Sequence, residues 1–389
     1  MAAYLNPLTL DETADLTRAM AESGETLDLA GLPKPWVDKH STGGVGDKST
    51  LVAMPVLAAC GLTMVKMSGR GLGLTGGTID KLSSVDGLRL SLSPAEMVAQ
   101  AREIGIVLTG QSTELAPADK ALYELRDVTG TVTSIPLIAS SILCKKLAGG
   151  AEFITFDVKC GSGGLVHCLY SAQELAYWLQ EIGDRLGLKV TAKISDMSQP
   201  LGGASGNDLE VQEAQMVLYG DSLDPAQARF SEFARRLCAH TLAFALNIHE
   251  DEARGQVDAV LSDGRAAAKW EQWLTAQGAA PGRVPPKPAP VVLDLLAERD
   301  FWLVRQDAAE IGRAVLELGG GRKTKEDRID PRVGVCVHRP VGSRFSEGEP
   351  FATIHAADED AAARAAKSLQ AAIEFSNEPV AEAPLFLSP

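Results

Sequence analysis

Three times in the first half of the chain a short apolar run gives way to a turn and then to a helix-like stretch, and this repetition constrains the fold more than any other feature of the sequence. The first unit runs from Trp36 to Leu82, with short β-like pieces, glycine-rich turns and an apolar stretch, Leu51 to Cys60, that opens just after the glycines. The second runs from Ile104 to Leu147. The third starts at Phe153 (FITFDVK), continues through an amphipathic helix ending near Leu186, and is followed by a strand at Val190 to Ile194. Strands alternating with helices are the pattern of a parallel sheet covered by helices, so the expected class is α/β. Residues 8–24 read as a helix with Leu8, Leu16 and Met20 on one face, Thr9 or Asp11 as its cap and Gly24 at its end. Prolines from Pro281 to Pro290 fix extended backbone and mark a linker. A C-terminal domain is expected beyond it, with a glycine cluster (Gly319, Gly320, Gly321), a turn at Asp330-Pro331, β stretches at Val333 to Val337 and Phe351 to Ile354, and a final helix from Asp358 to Ile373. The sequence shows no internal repeat.

Composition narrows the function. With 389 residues, 45% hydrophobic and 23% charged, the chain has material for a buried core and for two or three domains. A formal charge of -14 repels a long polyanion, which argues against a nucleic-acid polymer as partner. The longest apolar run, Leu51 to Val65, is bounded by Lys48 and Lys66 and falls short of the ~20 residues a spanning helix needs, so no membrane partner is expected. The start, MAAYLNPLTLDETADL, lacks a basic, then apolar, leader, and a cytoplasmic location is expected. The six cysteines are scattered, with no CxxC pair and no zinc spacing against the histidines, so they are expected to be reduced and structural and no metal is assigned.

Three segments carry chemistry. In DKHSTGGVGDKST, Asp38 to Thr50, glycines let backbone N–H groups converge, hydroxyls at Ser41, Thr42, Ser49 and Thr50 add donors, and the helix that follows presents its positive end, which together suit an oxyanion. Lys39 and His40 stand at its entrance, a fixed cation beside a group that moves a proton near neutral pH. Walker A fails, because Asp47 stands where that motif needs glycine. In KMSGRGLGLTGGTIDKLSS, Lys66 to Ser84, Gly71, Gly73 and Gly76 satisfy GxGxxG, but so glycine-rich a segment satisfies several loop templates, and Glu96 fits the acidic position only loosely. Two such loops read better as two walls around one small anion, with Ser68 and Thr78 as donors. In the run Tyr123 to Leu147, Ser141 and Lys145 are four residues apart on one helix face and Arg126 is placed to meet them across a cleft, a set that suits a base with two carbonyls and an imide N–H. An exposed helical face explains Ser141 and Lys145 equally well.

Together these segments resemble the thymidine phosphorylase and pyrimidine-nucleoside phosphorylase family: DKHSTGGVGDK, SGRGLGLTGGTIDKL, YELRDVTGTVTSIPLIASSILCKKLAGG, DVKCGSGG, SDMSQPLG and IDPRVGV follow one another across nearly the whole chain. The resemblance implies a small helical lobe (1–34 and 111–150), a large α/β lobe with a mainly parallel mixed sheet (35–110 and 151–280) and a C-terminal α+β domain (281–389), an α+β multi-domain arrangement in which the lobes close on substrate. It implies a pentosyltransferase with inorganic phosphate as co-substrate and no cofactor, acting as a homodimer. Lys39, Ser41, Gly43, Thr50, Ser68 and Thr78 fall where the family binds phosphate. Tyr123, Arg126, Ser141 and Lys145 fall where it binds the pyrimidine, with Leu72, Val132 and Ile138 lining the ring. His40 falls against the base carbonyl, and with Arg126 and Lys145 it is expected to stabilise the leaving base. Lys66 stands where broader pyrimidine enzymes carry lysine, implying contact with a ribose 2'-hydroxyl and acceptance of both uridine and thymidine.

Departures from the family pattern bear on these expectations. Leu74 replaces a histidine, Ser83 a glutamate, and Gly164-Leu165 an Ala-Phe pair, which is expected to leave a roomier pocket beside the base. Some relatives hold a structural cation with backbone carbonyls near Gly46 and a glutamate matching Glu213; here Lys48 is placed to substitute for it. The family has a further pair of helices before the segment matching Met1 to Gly24, so a truncated start or a different assembly, with exposed apolar surface, is expected. The alternatives are a thymidine-restricted phosphorylase, an anthranilate-type phosphoribosyltransferase with a KHGTGG-like loop and Mg2+, and a non-catalytic nucleoside-binding protein.

Overall fold

The structure, a computed structural model, describes residues 1–387 apart from 72, 73, 75, 112, 113, 325 and 326. The strand-helix units of the sequence supply β1 (Trp36–Ser41), β2 (Thr63–Ser68), β3 (Ile106–Gly110), β4 (Phe153–Cys160) and β5 (Lys189–Asp196), which form one sheet in the order β3-β2-β1-β4-β5. Every pairing in it is parallel. From β1 the chain moves outward to β2 and β3, then returns to place β4 on the other side of β1. That reversal opens a crevice at the carboxyl ends of β1 and β4, the place where open α/β sheets bind ligands. Thr42 stitches the two strand ends together, its N–H donating to the Asp157 carbonyl (3.1 Å) and its Oγ1 accepting from the Lys159 N–H (2.9 Å).

The helix Ser49–Ala59 follows the first glycine loop directly, and Ser49 to Ala58 are all buried, which explains a uniformly apolar sequence without a polar stripe. It packs between the sheet and the helices Asn207–Tyr219, Pro225–Leu246, Glu250–Ser262 and Arg265–Ala276, in a core that includes Phe230, Phe233, Trp270 and Trp273. The other face of the sheet is covered by Ile135–Ala148 and Leu169–Arg185, with Leu10–Ala21 packed across them. This last helix is shorter than the 8–24 segment read from the sequence: Thr9 caps it by accepting from the Glu12 N–H, and Glu12 in turn accepts from the Thr9 N–H.

The segment 281–290 contains neither helix nor strand. After it, strands Val291–Leu296, Phe301–Gln306, Gly334–Val337, Arg344–Phe345, Pro350–Ala356 and Ile373–Ser376 form two antiparallel sheets, with helices Ala308–Glu317 and Glu359–Ala372, over a separate core. The C-terminal part does not hang on its linker alone. Ala204–Ser205 supplies an edge of its four-stranded sheet, paired with Cys336 and Val335, and Val45 of the first glycine loop sits in its core. The chain end then returns to β5, where the Leu387 N–H donates to Ile194 O (2.8 Å), the Asp196 N–H donates to Leu385 O (3.1 Å) and Phe386 stacks on Phe233. A sheet edge that would otherwise be open is thereby covered.

One buried side chain ties the outer strand β3 to the helices behind it. Gln277, 1% exposed, donates to Leu108 O (2.9 Å) and Arg89 O (2.7 Å) and accepts from Trp273 Nε1 (2.6 Å) and the Leu108 N–H (3.3 Å). Replacing it with Leu leaves those buried groups without partners, and we expect Gln277→Leu to lower the unfolding free energy by about 2 to 4 kcal/mol. Urea unfolding of the two proteins measures this, and a loss below about 1 kcal/mol would mean the amide is not an anchor.

Candidate active site

Alternation along β1 sends its polar side chains to opposite faces of the sheet. Lys39 and Ser41 point to the side of the helix Ser49–Ala59. Lys39, fully buried, donates to Ser49 Oγ (2.5 Å) and lies 3.7 Å from Asp157. Burial pulls its ammonium below the ordinary lysine range, an effect that Asp47 and Asp157 oppose. Behind it, Lys159 pairs with Asp157 (2.8 Å) and donates to Ser195 Oγ (3.1 Å), over the ring of Phe233.

The first glycine loop is folded around a carboxylate. Ser41 Oγ donates to Asp47 and accepts from the Gly43 N–H, while the other Asp47 oxygen accepts from the Ser49 N–H (3.1 Å) and Ser49 Oγ (2.5 Å). Burial alone would raise the Asp47 carboxyl, but Lys159, Lys39 and Lys81 together with the Ser41 hydroxyl hold it well below the carboxylate range. The donors expected at an oxyanion are therefore assembled, and an internal oxyanion occupies them. Gly43 and Gly46 have φ of +87° and +70°, a conformation that favours glycine. Thr50, the second residue of the buried helix, is 5% exposed.

Next to this loop, Lys48 Nζ sits among four oxygens: Gly46 O (3.0 Å), Leu201 O (2.6 Å), Ala204 O (2.9 Å) and Glu213 Oε2 (2.9 Å). Glu213 also accepts from the Gly203 and Ala204 N–H groups. This is the arrangement expected of a monovalent cation, and an ammonium fills it.

Asp38 and His40 point to the other face. Asp38 is bracketed by two ammoniums, Lys66 (3.1 Å) and Lys146 (2.6 Å), and Lys66 also donates to Lys39 O (2.8 Å). Burial pushes Lys66 down to about 7 in spite of Asp38. The side chain of Lys66, expected at a ribose 2'-hydroxyl, is 3% exposed and paired with Asp38, because an ammonium in the middle of a sheet needs a carboxylate beside it. His40 stands edge-on to Phe156, and burial together with the charges of Lys146, Lys66, Lys145 and Lys39 holds it neutral well below the ordinary histidine range.

In the second loop, Ser68 ends β2 beside β1, and Thr78 opens the short helix Thr78–Leu82. Lys81 joins the two loops, donating to Asp47 O (3.0 Å) and Gly76 O (2.6 Å) and pairing with Glu210 (3.1 Å). Leu72, expected against the ring, lies outside the described residues, as does Gly73.

The base-side residues come from the helices Pro117–Val128 and Ile135–Ala148. Lys145 donates to Asp119 (2.5 Å) and to Ser141 Oγ (3.3 Å), so the i,i+4 pair is formed. The Arg126 guanidinium donates to the carbonyls of Val132 (2.8 Å), Leu137 (3.0 Å) and Thr131 (3.4 Å), fastening the two helices together. Tyr123 and Val132 line a cleft of about 1340 Å3, faced by Arg70 and Asp80 of the second loop and by Arg322 and Arg328 of the C-terminal part. Ile138 is buried in the helical core. Gly164 bridges Gly44 of the first loop, and Leu165 is exposed.

The sequence reading leaves Asp47, Lys146, Asp157 and Lys159 without roles, although the structure gives them the charge balance of the site. A usable signal was present in FITFDVKC, where two charges interrupt a strand whose neighbours are apolar. Only a paired charge is tolerated there.

Residues 33–267 match the family described as "Glycosyl transferase family, a/b domain", and residues 302–376 match the "Pyrimidine nucleoside phosphorylase C-terminal domain". The chain is 44% identical over 362 residues to pyrimidine-nucleoside phosphorylase of Geobacillus stearothermophilus, covering 91% of this chain and 82% of that protein. It is 41% identical over 395 residues to thymidine phosphorylase of Rhizobium meliloti, covering 100% of this chain and 89% of that one. Among solved structures, anthranilate phosphoribosyltransferase of Thermus thermophilus superposes with a TM-score of 0.57 at 18% identity, over 70% of this chain and 86% of that one. That last likeness is of fold alone.

The charges around His40 predict its titration. Lysines oppose the imidazolium, so removing one must raise the imidazole pKa. His40 is expected to titrate well below the ordinary histidine range, and in Lys146→Met to titrate at higher pH than in the wild type. NMR of the imidazole nitrogens reads both, and an unchanged or lowered value in Lys146→Met would rule out the lysine cluster as the cause.

Proposed function

The chain belongs to the pyrimidine-nucleoside phosphorylase family, and from that premise we propose that it is a pentosyltransferase that splits uridine, thymidine and deoxyuridine reversibly into free base and (deoxy)ribose 1-phosphate, with inorganic phosphate as co-substrate. The observation that carries this reading is that likeness to the family extends over both the parallel-sheet part and the C-terminal part, so the whole set of loops around the cleft comes with it.

On this reading Lys39, Ser41, Gly43, Thr50, Ser68 and Thr78 hold phosphate below the sugar. Ser41 turns from Asp47 to the ligand, and Lys159, Asp157 and Lys81 hold Lys39 and Asp47 in place. Tyr123, Arg126, Ser141 and Lys145 hold the pyrimidine, with Leu72, Val132 and Ile138 around the ring. A phosphate oxygen bonds to C1' as the C1'–N1 bond breaks, and the electron pair of that bond leaves on the pyrimidine. Arg126 and Lys145 meet the resulting anion, and neutral His40 donates a ring N–H to its O2, so stabilisation is greatest where charge develops. Lys66, beside Asp38, meets the ribose 2'-hydroxyl, which supports acceptance of both uridine and thymidine. Closure of the helices 117–128 and 135–148 over the sheet excludes water and favours phosphate as the acceptor.

Finer features belong to the same proposal. Lys48 serves as a tethered cation in the Gly46 and Glu213 cage, so no bound ion is needed there. A homodimer is supported by the outward apolar face of the helix Pro117–Val128, where Leu122, Leu125 and Val128 are exposed. A cytoplasmic location agrees with six free thiols.

Incubating the protein with uridine or thymidine, with and without phosphate, and following free base and pentose 1-phosphate tests the reaction. Phosphate-dependent release from both nucleosides is expected, and release from thymidine alone would overturn the broad specificity. His40→Ala is expected to lower kcat by about 100-fold with a much smaller rise in the phosphate KM. The opposite pattern would make His40 a binding residue. Lys48→Met is expected to destabilise the protein by about 3 kcal/mol or more, with part of the loss recovered in potassium salts and no such response in the wild type. Equal salt responses of the two proteins would refute the cation role of Lys48.

A further inference from the structure

The second glycine loop is held partly from the C-terminal part of the chain. Asp80, whose side chain is 1% exposed, accepts four hydrogen bonds. One oxygen takes the N–H groups of Gly71 (2.6 Å) and Gly77 (3.1 Å), which are the two ends of the loop, and the other takes Arg70 (3.2 Å) and Arg322 (2.8 Å). The two arginines are unequal: the Arg70 side chain is 59% exposed and Arg322 only 22%, so Arg322 makes the shorter and better shielded contact. Arg322 is itself fixed. It follows Gly319 to Gly321, where Gly320 O accepts from Asn207 Nδ2 (2.8 Å) and Gly319 O accepts from the Asp330 N–H (2.9 Å). Asp80 lies two residues after Thr78 and directly after Ile79, so whatever fixes Asp80 also fixes the hydroxyl expected at phosphate.

We propose that Arg322 is a positioning residue for the phosphate subsite, by which the C-terminal part closes the Gly71–Gly77 loop and cancels the charge of Asp80 beside the bound anion. The proposal rests on the reading of this loop as a phosphate site. Two effects act in the same direction. Without Arg322 the carboxylate that joins Gly71 and Gly77 is held by the exposed Arg70 as its one remaining arginine, and an under-compensated charge is left next to a dianion, which it repels. The polar groups that meet the pyrimidine come from the helices 117–128 and 135–148, and only Leu72 of its lining belongs to this loop, so the larger effect falls on phosphate.

The test is steady-state kinetics of the full chain carrying Arg322→Ala, Arg322→Lys, Asp80→Asn or the pair Arg322→Ala with Asp80→Asn. Arg322→Ala is expected to raise the phosphate KM about tenfold or more, while the uridine KM and kcat at saturating phosphate stay within about twofold of wild type. Lysine should restore part of the loss, since it returns the charge without the planar fork. The pair should be less impaired than the product of the single effects, because both act through one contact. A phosphate KM within about twofold of wild type in Arg322→Ala, or a uniform fall in kcat with both KM values unchanged, overturns the proposal. Should Arg322→Ala not fold, Arg322→Lys decides: a raised phosphate KM at an unchanged melting temperature supports it, and an unchanged phosphate KM refutes it. A wild-type protein without phosphate-dependent release would instead refute the phosphorylase reading, which separates the two failures.

Discussion

An ammonium or carboxylate buried in a protein interior survives only with an opposite charge at hydrogen-bond distance. The architecture around β1 follows from that constraint. β1 carries Asp38 and Lys39 through the middle of a five-stranded sheet, where both are buried, and ends in the half-buried His40 and Ser41. Each charge on it draws a partner from a neighbouring element: Lys66 from β2, Lys146 from the helix Ile135–Ala148, Asp157 and Lys159 from β4. These pairs fix the spacing of the strand ends and so the width of the crevice between β1 and β4.

The balance of those charges is uneven, and the imbalance has a chemical use. On the side of the first glycine loop, Lys39, Lys81 and Lys159 face Asp47, Asp157 and Glu210, so the cluster is close to neutral without ligand. On the side of His40, two lysines share one aspartate, and Arg126 is satisfied by backbone carbonyls alone. Positive charge therefore accumulates around His40, the side proposed for the departing base, and together with burial it holds the imidazole below the ordinary histidine range. Asp47 adds a further feature, since its carboxylate already engages Ser41 and Ser49, the hydroxyls that an incoming anion would use. On the proposed reading an incoming anion therefore competes with Asp47 for the Ser41 hydroxyl.

The C-terminal part belongs to the same economy of contacts. It shares a sheet with Ala204–Ser205, takes Val45 into its core and sends Arg322 to Asp80, so both glycine loops touch it. Lys48 lies at the centre of this junction, donating to the carbonyl of Leu201, just before the shared strand, and to that of Ala204 within it. The loops are in this way clamped between two cores rather than supported by one.

The sequence by itself determined the class of the fold and the neighbourhood of the site. Alternating strands and helices dictated a parallel sheet, glycines and hydroxyls at the ends of β1 and β2 marked the loops, and the four-residue spacing of Ser141 and Lys145 brought them into contact on one helix. All of these are local properties, carried by period, turn chemistry and helical geometry, and a linear reading reaches them. The partners of the buried charges are not local. Asp38 meets Lys146 across 108 residues and Asp80 meets Arg322 across 242. The pairing of Lys66 with Asp38 likewise leaves no trace in the spacing, since the aspartate lies one strand away. Only the tertiary structure decided which charges neutralise one another, because that depends on distance and burial in space, and the surplus left after pairing sets where an anion is stabilised.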